Sequence, residues 1–199
     1  MPVLNLRSDF AEADTLPEQM AAIGRRARAA ARRMALASAR TKDGALKSIA
    51  ERIRASRDEI LSENARDVAA ARSAGQSAAL IDRLTLDPGR LAAMADAVEK
   101  VGSLADPVGR QLAAIDRPNG LLLERIAVPL GVVGVIFEAR PNVTADAGAL
   151  CLKAGNAAIL RAGSDSHRTA MAIARAMSRG LADAGLPEDA LQLVPTRER

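Results

Sequence analysis

Apolar and charged positions interleave over the first 110 residues, in Ala- and Arg-rich stretches that contain no long apolar run. Three helix start signals divide this part of the chain: TLPE at 15–18, SRDE at 56–59 and the Asp87-Pro88 step. The pattern predicts four helices, over about 15–38, 43–55 and 56–75 and from about 87 onwards.

The pattern changes after Asp106-Pro107. Two runs, QLAAIDR and LLLERIAV, flank a Pro118-Asn119-Gly120 turn, which predicts a β-hairpin over residues 111–128. The second arm carries apolar residues on both faces, so we expect another subunit to cover the hairpin.

Short apolar runs alternate with helical stretches from residue 129 onwards. The runs VVGVIF, AAILR and LQLV predict three strands, separated by helices over about 143–153 and 165–185. This β-α-β-α-β order predicts an α/β fold with half of a Rossmann-like parallel sheet, whose strands are buried on both faces. The predicted parts are a helical part (1–110), the hairpin (111–128) and an incomplete cofactor-binding portion (129–199).

Composition indicates which residues build the core and which classes of partner the chain could bind. Only 1% of the residues are aromatic, so we expect an Ala-, Leu-, Val- and Ile-based core in which helices approach closely through small residues. The net charge is +4, and its densest cluster, Arg25–Arg33, lies in a helical stretch without aromatic residues. A nucleic-acid surface and a solvated helix face are both compatible with that cluster, and the pattern favours the second.

The N-terminal sequence lacks the cationic start and apolar run of an export signal, and no stretch is long enough to span a bilayer. We therefore expect a cytoplasmic protein without a membrane anchor. One cysteine and one histidine leave no disulfide and no metal-binding cluster. Cys151 lies among apolar residues in a helix, which favours a structural role over a nucleophilic one, and His167 is expected at the surface.

Polar residues follow each predicted strand, and the carboxyl ends of parallel strands share one edge, where open α/β sheets bind ligands. In the RAGSDS loop, Arg161 could pair with a 2′-phosphate or stack on adenine, Ser164 could donate to a phosphate and Asp165 could bind ribose hydroxyls. The amides of the following helix could attract the anion. The alternative is that Ser164 or Asp165 merely caps that helix.

The EARPN segment, residues 138–142, ends the first strand. Asn142 could donate its amide to a developing oxyanion or cap the next helix. A G-x-G-x-x-G fingerprint is absent, and Gly134, at the entrance to the strand, is expected to permit close helix-on-sheet packing.

The run RIAVPLGVVGVIFEARPNVTADAGALCLKAGNAAILRAGSDS resembles the γ-glutamyl phosphate reductase family, also called glutamate-5-semialdehyde dehydrogenases, within the aldehyde dehydrogenase superfamily. ALIDRLTLDP and LPEDALQLVPTRER resemble the same family. The resemblance implies NADPH-dependent reduction of L-glutamate 5-phosphate to L-glutamate 5-semialdehyde in proline biosynthesis, with a pathway link to glutamate 5-kinase and a homo-oligomeric full-length form. It also implies a cysteine nucleophile in the family's second half, so Cys151 is not that residue and the chain alone is expected to be inactive.

The resemblance assigns Arg161, Ser164 and Asp165 to the cofactor. Arg140 and Asn142 are expected to bind the substrate because of their place after the first strand, not because of the resemblance. The RAGSDS loop is one residue longer than the superfamily's usual form, which leaves the pairing of Ser164 and Asp165 open. Residues 137–142 replace the superfamily's Pro-Trp-Asn-Phe-Pro segment; with Pro141 matched to its later proline, Ala139 takes the place of the asparagine. Two further hypotheses are a short-form interaction module that dimerises with the intact enzyme through the hairpin, and a basic helical nucleic-acid binder.

Overall fold

A computed structural model describes residues 15–196 as seven α-helices and five β-strands, with two short 3₁₀ turns. The helices are α1 (Leu16–Met34), α2 (Ala39–Ala55), α3 (Arg57–Ser73), α4 (Ala78–Leu84), α5 (Pro88–Gly102), α6 (Val143–Lys153) and α7 (His167–Asp183). The strands are β1 (Gln111–Asp116), β2 (Leu122–Ile126), β3 (Val132–Ile136), β4 (Ala157–Arg161) and β5 (Leu191–Leu193).

The strands form two separate sheets. In the first, β1 and β2 pair antiparallel as a hairpin, with Asp116 opposite Leu122 beside the turn. In the second, β4 lies between β3 and β5 and is parallel to both, with Val132 opposite Ala157 and Ala158 opposite Leu191. The predicted α/β class, the hairpin and the β-α-β-α-β order are therefore confirmed.

One hydrophobic core joins the helical part to the parallel sheet, and small residues allow its helices to approach closely. The clearest case is Gly180 on α7, where an added Cβ would lie 2.6 Å from the Cα atom of Ile49 on α2. At Gly148 on α6, an added Cβ would lie 2.9 Å from the Cε atom of Met177. The predicted packing through small residues is confirmed at these two positions.

Two lysines are buried within this architecture because carboxylates meet them. The ammonium of Lys42 on α2 pairs with Asp106, on the link after α5, at 2.7 Å. Lys153, the last residue of α6, pairs with Asp43 and donates to the Gly102 carbonyl at 2.8 Å. These pairs tie α2, α5 and α6 together.

Two helix boundaries differ from the sequence prediction, and one helix was not predicted. The first helix ends at Met34, and Ser38 caps α2 by accepting a hydrogen bond from the Thr41 amide, so α2 begins at Ala39 rather than near residue 43. The pattern missed α4, a seven-residue helix capped by Ser77. Its length of two turns is too short for a clear amphipathic period.

The expectation that all three parallel strands are buried on both faces is wrong for β3. Val132 is 36% and Ile136 is 85% exposed, whereas β4 is largely buried. The reason is that β3 lies at an edge of the described sheet and one of its faces is uncovered there. Gly134 lies on the same face, and within residues 15–196 no atom comes within 4 Å of a Cβ built on it, so its predicted role in close packing is also wrong.

The hairpin also presents apolar residues to solvent: every residue of β2 is exposed, including Leu122, Leu123 and Ile126. Among residues 15–196, no helix has both the length and the apolar character that crossing a bilayer requires.

Candidate functional site

Two of the predicted loops meet at the carboxyl edge of the parallel sheet. The Phe137 amide donates to the Arg161 carbonyl at 3.0 Å, and a Cβ added to Gly163 would lie 3.2 Å from the Glu138 Cα atom. Glycine at 163 therefore lets the segment after β4 lie directly against the segment after β3. The third predicted segment starts at Pro195 beside them, but residues 197–199 lie outside the described residues.

The candidate cofactor loop turns sharply after β4. Residues Ser164–Ser166 form a 3₁₀ turn, closed by a hydrogen bond from the Ser166 amide to the Gly163 carbonyl. Ser164 is exposed and Asp165 is half-buried, and no described residue bonds to either side chain. Arg161 is half-buried, and its guanidinium donates to the Ala162 carbonyl. The hydroxyl and the carboxylate are thus available to a ligand at this edge.

The helix that follows this loop is capped from another part of the chain. Asp67 on α3, only 2% exposed, accepts hydrogen bonds from the Thr169 amide at 2.8 Å and from the Thr169 hydroxyl at 2.7 Å. Ser166, at the N-cap position, makes no side-chain cap. The prediction that the amides at this helix start can attract an anion is therefore wrong for Thr169, because an internal carboxylate already occupies it.

Asn142 lies at the N-cap position of α6, but its side chain does not cap that helix. Its amide instead donates to the Asp146 carboxylate at 2.8 Å. The first amides of α6 are used within the preceding turn, since Val143 donates to the Arg140 carbonyl and Thr144 to the Pro141 carbonyl, each at 3.1 Å. A side-chain amide carries two N–H groups, so one remains for a substrate oxygen.

Asp146 is half-buried beside Asn142, and the sequence interpretation did not single it out. Burial raises the pKa of Asp146, and the hydrogen bond from Asn142 offsets part of that rise. The i,i+4 spacing of the two residues was the signal that could have identified this pair. Arg140, just before Asn142, is exposed, and no described residue pairs with its guanidinium.

Cys151 lies on α6, nine residues after Asn142 and therefore about 13 Å further along the helix axis from the carboxyl edge. Burial raises the pKa of its thiol, which disfavours the thiolate that a nucleophile needs. His167 is only 8% exposed, so the prediction of a surface position is wrong. It is the first residue of α7, which packs against the core.

The model of the aldehyde dehydrogenase family matches residues 9–199. The γ-glutamyl phosphate reductase of Methylobacterium radiotolerans is 94% identical over 199 residues, which are all of this chain and 46% of that protein. The reductase of the same name from Rhodospirillum rubrum is 56% identical over 186 residues, 94% of this chain and 44% of that protein.

The fold comparison agrees. The crystal structure of γ-glutamyl phosphate reductase from Thermotoga maritima superposes with a TM-score of 0.88 at 37% identity, covering 91% of this chain and 44% of that one. The chain thus spans about half the length of the curated relatives it matches. It belongs to the aldehyde dehydrogenase family and matches the N-terminal part of the family's γ-glutamyl phosphate reductases.

Proposed function

We propose that this chain forms the cofactor side of an NADPH-dependent oxidoreductase, which reduces L-glutamate 5-phosphate to L-glutamate 5-semialdehyde in the cytoplasmic synthesis of proline. The observation that carries the proposal is 94% identity to a γ-glutamyl phosphate reductase along the whole chain. The contact between the loops after β3 and β4 supports it, because it brings the candidate residues of both loops together at the kind of edge where α/β sheets bind nucleotides.

The residues after β4 suit an adenosine ribose. The Asp165 carboxylate accepts from ribose hydroxyls, the exposed Ser164 hydroxyl donates to a phosphate oxygen, and Arg161 contributes positive charge beside them. When bound, NADPH supplies the hydride for the reduction. The chain's own task is to hold the nucleotide along the sheet edge.

The residues after β3 suit the acyl phosphate. The exposed Arg140 guanidinium pairs with the phosphate that is released, and the remaining N–H of Asn142 stabilises charge that develops on the carbonyl oxygen. Asp146 fixes the orientation of the Asn142 amide through its hydrogen bond. Asn142 thus acts as the oxyanion donor in this proposal.

The reaction also needs a thiolate nucleophile, and Cys151 does not supply it, because its thiol is half-buried and lies away from the carboxyl edge. The test is a hybrid reductase in which this chain replaces the matching 199 residues of the Methylobacterium radiotolerans protein. We expect the hybrid to oxidise NADPH in the presence of L-glutamate 5-phosphate, and the Cys151→Ser hybrid to do so at an equal rate. We expect no turnover from the chain alone, and measurable turnover there would overturn this part of the proposal.

A second candidate function follows from the exposed apolar residues of β2. The hairpin would dimerise subunits of the full-length enzyme, and a short form of the chain would then join an intact subunit as an interaction module. Affinity-tagged chain mixed with untagged full-length reductase provides the test. Retention of the reductase supports the module, and its complete absence from the eluate contradicts it. In either form, the substrate links the protein to glutamate 5-kinase, which would make the acyl phosphate.

A further inference from the structure

Arg168, in the first turn of α7, carries a second guanidinium and follows the candidate cofactor loop closely in sequence. From its position and contacts we infer that Arg168, oriented by Asp67, binds the 2′-phosphate of the cofactor and thereby selects NADPH over NADH. This inference rests on the proposed NADPH-dependent function.

Arg168 has the availability that a phosphate ligand needs. Its side chain is 40% exposed, and the charged partner that the described residues offer it is Asp67, at 3.6 Å. That separation is too long for a hydrogen bond, so the guanidinium keeps its donors for another oxygen. Arg161 is half-buried like Arg168, but its guanidinium already donates to the Ala162 carbonyl.

Asp67 holds a fixed position from which it can orient Arg168. The carboxylate is buried and bound to the Thr169 amide and hydroxyl, so it cannot move without breaking the cap of α7. Asn64, one turn earlier on α3, donates to the Thr169 hydroxyl at 3.3 Å and strengthens the same junction. An arginine restrained in this way loses less side-chain entropy when it binds a phosphate.

The place of Arg168 on α7 fits the ribose end of a dinucleotide. Residues 168, 171 and 175 share one face of the helix, and Met171 and Arg175 line a cavity of about 100 Å³ beside β5. Arg168 lies at the end of this helix face that is nearest in sequence to the loop after β4. In doubly wound sheets the ribose lies at the end of the second strand, and an arginine nearby accommodates the 2′-phosphate.

The capping of α7 also explains why side chains must bind this anion. A helix start with free amides attracts phosphate, but the Thr169 amide here is already bonded to Asp67. A 2′-phosphate at this edge therefore depends on cationic side chains such as Arg168, whose side chain is 40% exposed.

The test uses the hybrid reductase with Arg168→Gln and Arg168→Lys, and dissociation constants for NADPH, NADH and adenosine 2′,5′-bisphosphate. We expect Arg168→Gln to weaken the binding of NADPH and of the bisphosphate by about tenfold or more and to change the binding of NADH by less than about twofold. Arg168→Lys keeps the charge but loses the planar guanidinium that can bind a phosphate through two N–H groups, so it should weaken NADPH binding by an intermediate factor.

Arg175→Gln is the matched control. Arg175 shares the helix face of Arg168 and also pairs with α3, through Glu59 at 2.8 Å, but lies two turns further from the edge. Removing it should leave the ratio of NADPH to NADH affinity unchanged.

The outcomes separate the inference from the proposed function. Equal weakening of both cofactors by Arg168→Gln, or unchanged NADPH binding, overturns the role of Arg168 and leaves the reductase proposal intact. If Arg168→Gln does not fold, Arg168→Lys decides by the same two comparisons. An unsubstituted hybrid that binds neither cofactor overturns the proposed function and this inference with it.

Discussion

Gly163 lies against the backbone of Glu138, where an added Cβ would be 3.2 Å from the Glu138 Cα atom. This contact joins the segment after β4 to the segment after β3, and thus the candidate cofactor residues to the candidate substrate residues. A methyl group there would require one segment to shift by a few tenths of an ångström. The spacing of the two halves of the site depends on the absence of a side chain at this position.

We therefore expect Gly163→Ala in the hybrid reductase to weaken NADPH binding by roughly threefold to tenfold. The reason is that the displaced loop no longer presents Ser164 and Asp165 to the ribose in the same place. Gly134→Ala is the control, because no atom of the described residues lies within 4 Å of a Cβ built on Gly134. A titration followed by NADPH fluorescence measures the dissociation constants of both variants. An unchanged dissociation constant for Gly163→Ala would show that the two loops can move apart without loss of NADPH binding.

The contact between α2 and α7 makes a second prediction, about stability. Gly180→Ala places a Cβ 2.6 Å from the Ile49 Cα atom, so the helices must move apart, at a cost of about 1–3 kcal/mol. Gly44→Ala, on α2, meets no described atom within 4 Å and should stabilise the chain by about 0.5–1 kcal/mol through helix propensity. Urea unfolding followed by circular dichroism compares the two. A Gly180→Ala variant that is more stable than the unsubstituted chain, together with a less stable Gly44→Ala variant, would mean that the two helices do not pack as described.

Local signals in the sequence were sufficient for most of the fold. The bounds of α6 match the prediction, because Gly155 after it adopts a φ of +73° that favours glycine and the next apolar run starts at once. Gly185 after α7 acts in the same way, with a φ of +71°. These glycines are helix-termination signals, and each lies within a few residues of the helix that it ends.

What the sequence did not show depends on distant partners. Asp67 and Thr169 are 102 residues apart, so no local pattern reveals that one caps the helix of the other. The exposure of β3 was missed for a related reason, since an apolar run does not tell which strand lies at the edge of a sheet. In the candidate site, the loops were predictable from strand ends, and the i,i+4 spacing could have identified Asp146 as the partner of Asn142, but the engagement of Arg161 needed the structure.

The buried pair of Lys42 and Asp106 predicts acid sensitivity. Burial opposes ionisation of Asp106, but hydrogen bonds from Lys42 and the Val108 amide outweigh it and lower the pKa below the ordinary value of 3.8. A carboxyl whose pKa is lower in the folded state adds stability that is present above the unfolded pKa and is lost as pH falls through the folded value. We expect the free energy of unfolding to decrease below about pH 4.

Asp106→Asn should lower stability at pH 7 by about 3 kcal/mol, because Lys42 is left buried without a countercharge, and should flatten the decrease in acid. Asp183→Asn is the comparison. Arg52 lowers the pKa of Asp183 through hydrogen bonds, but both side chains of that pair are more than a third exposed, so solvent and salt screen it and the effect should be smaller. Urea unfolding between about pH 2 and pH 7 measures both variants. A larger effect at Asp183 would contradict the importance assigned to burial.

The hairpin supplies the last prediction, which concerns assembly. Leu123 on β2 is 46% exposed and lies opposite Ile115 on β1, which is 48% exposed, so one face of the hairpin presents an apolar pair. In a dimer, each buried leucine contributes about 1.5–3 kcal/mol, and a carboxylate in its place would be desolvated. Leu123→Glu should therefore convert the hybrid reductase to monomers in sedimentation equilibrium. Leu36→Glu is the control, because Leu36 is 89% exposed on the link between α1 and α2, outside the hairpin, and its substitution should leave the mass unchanged. A Leu123→Glu hybrid with the mass of the unsubstituted protein would show that this face is not the subunit contact.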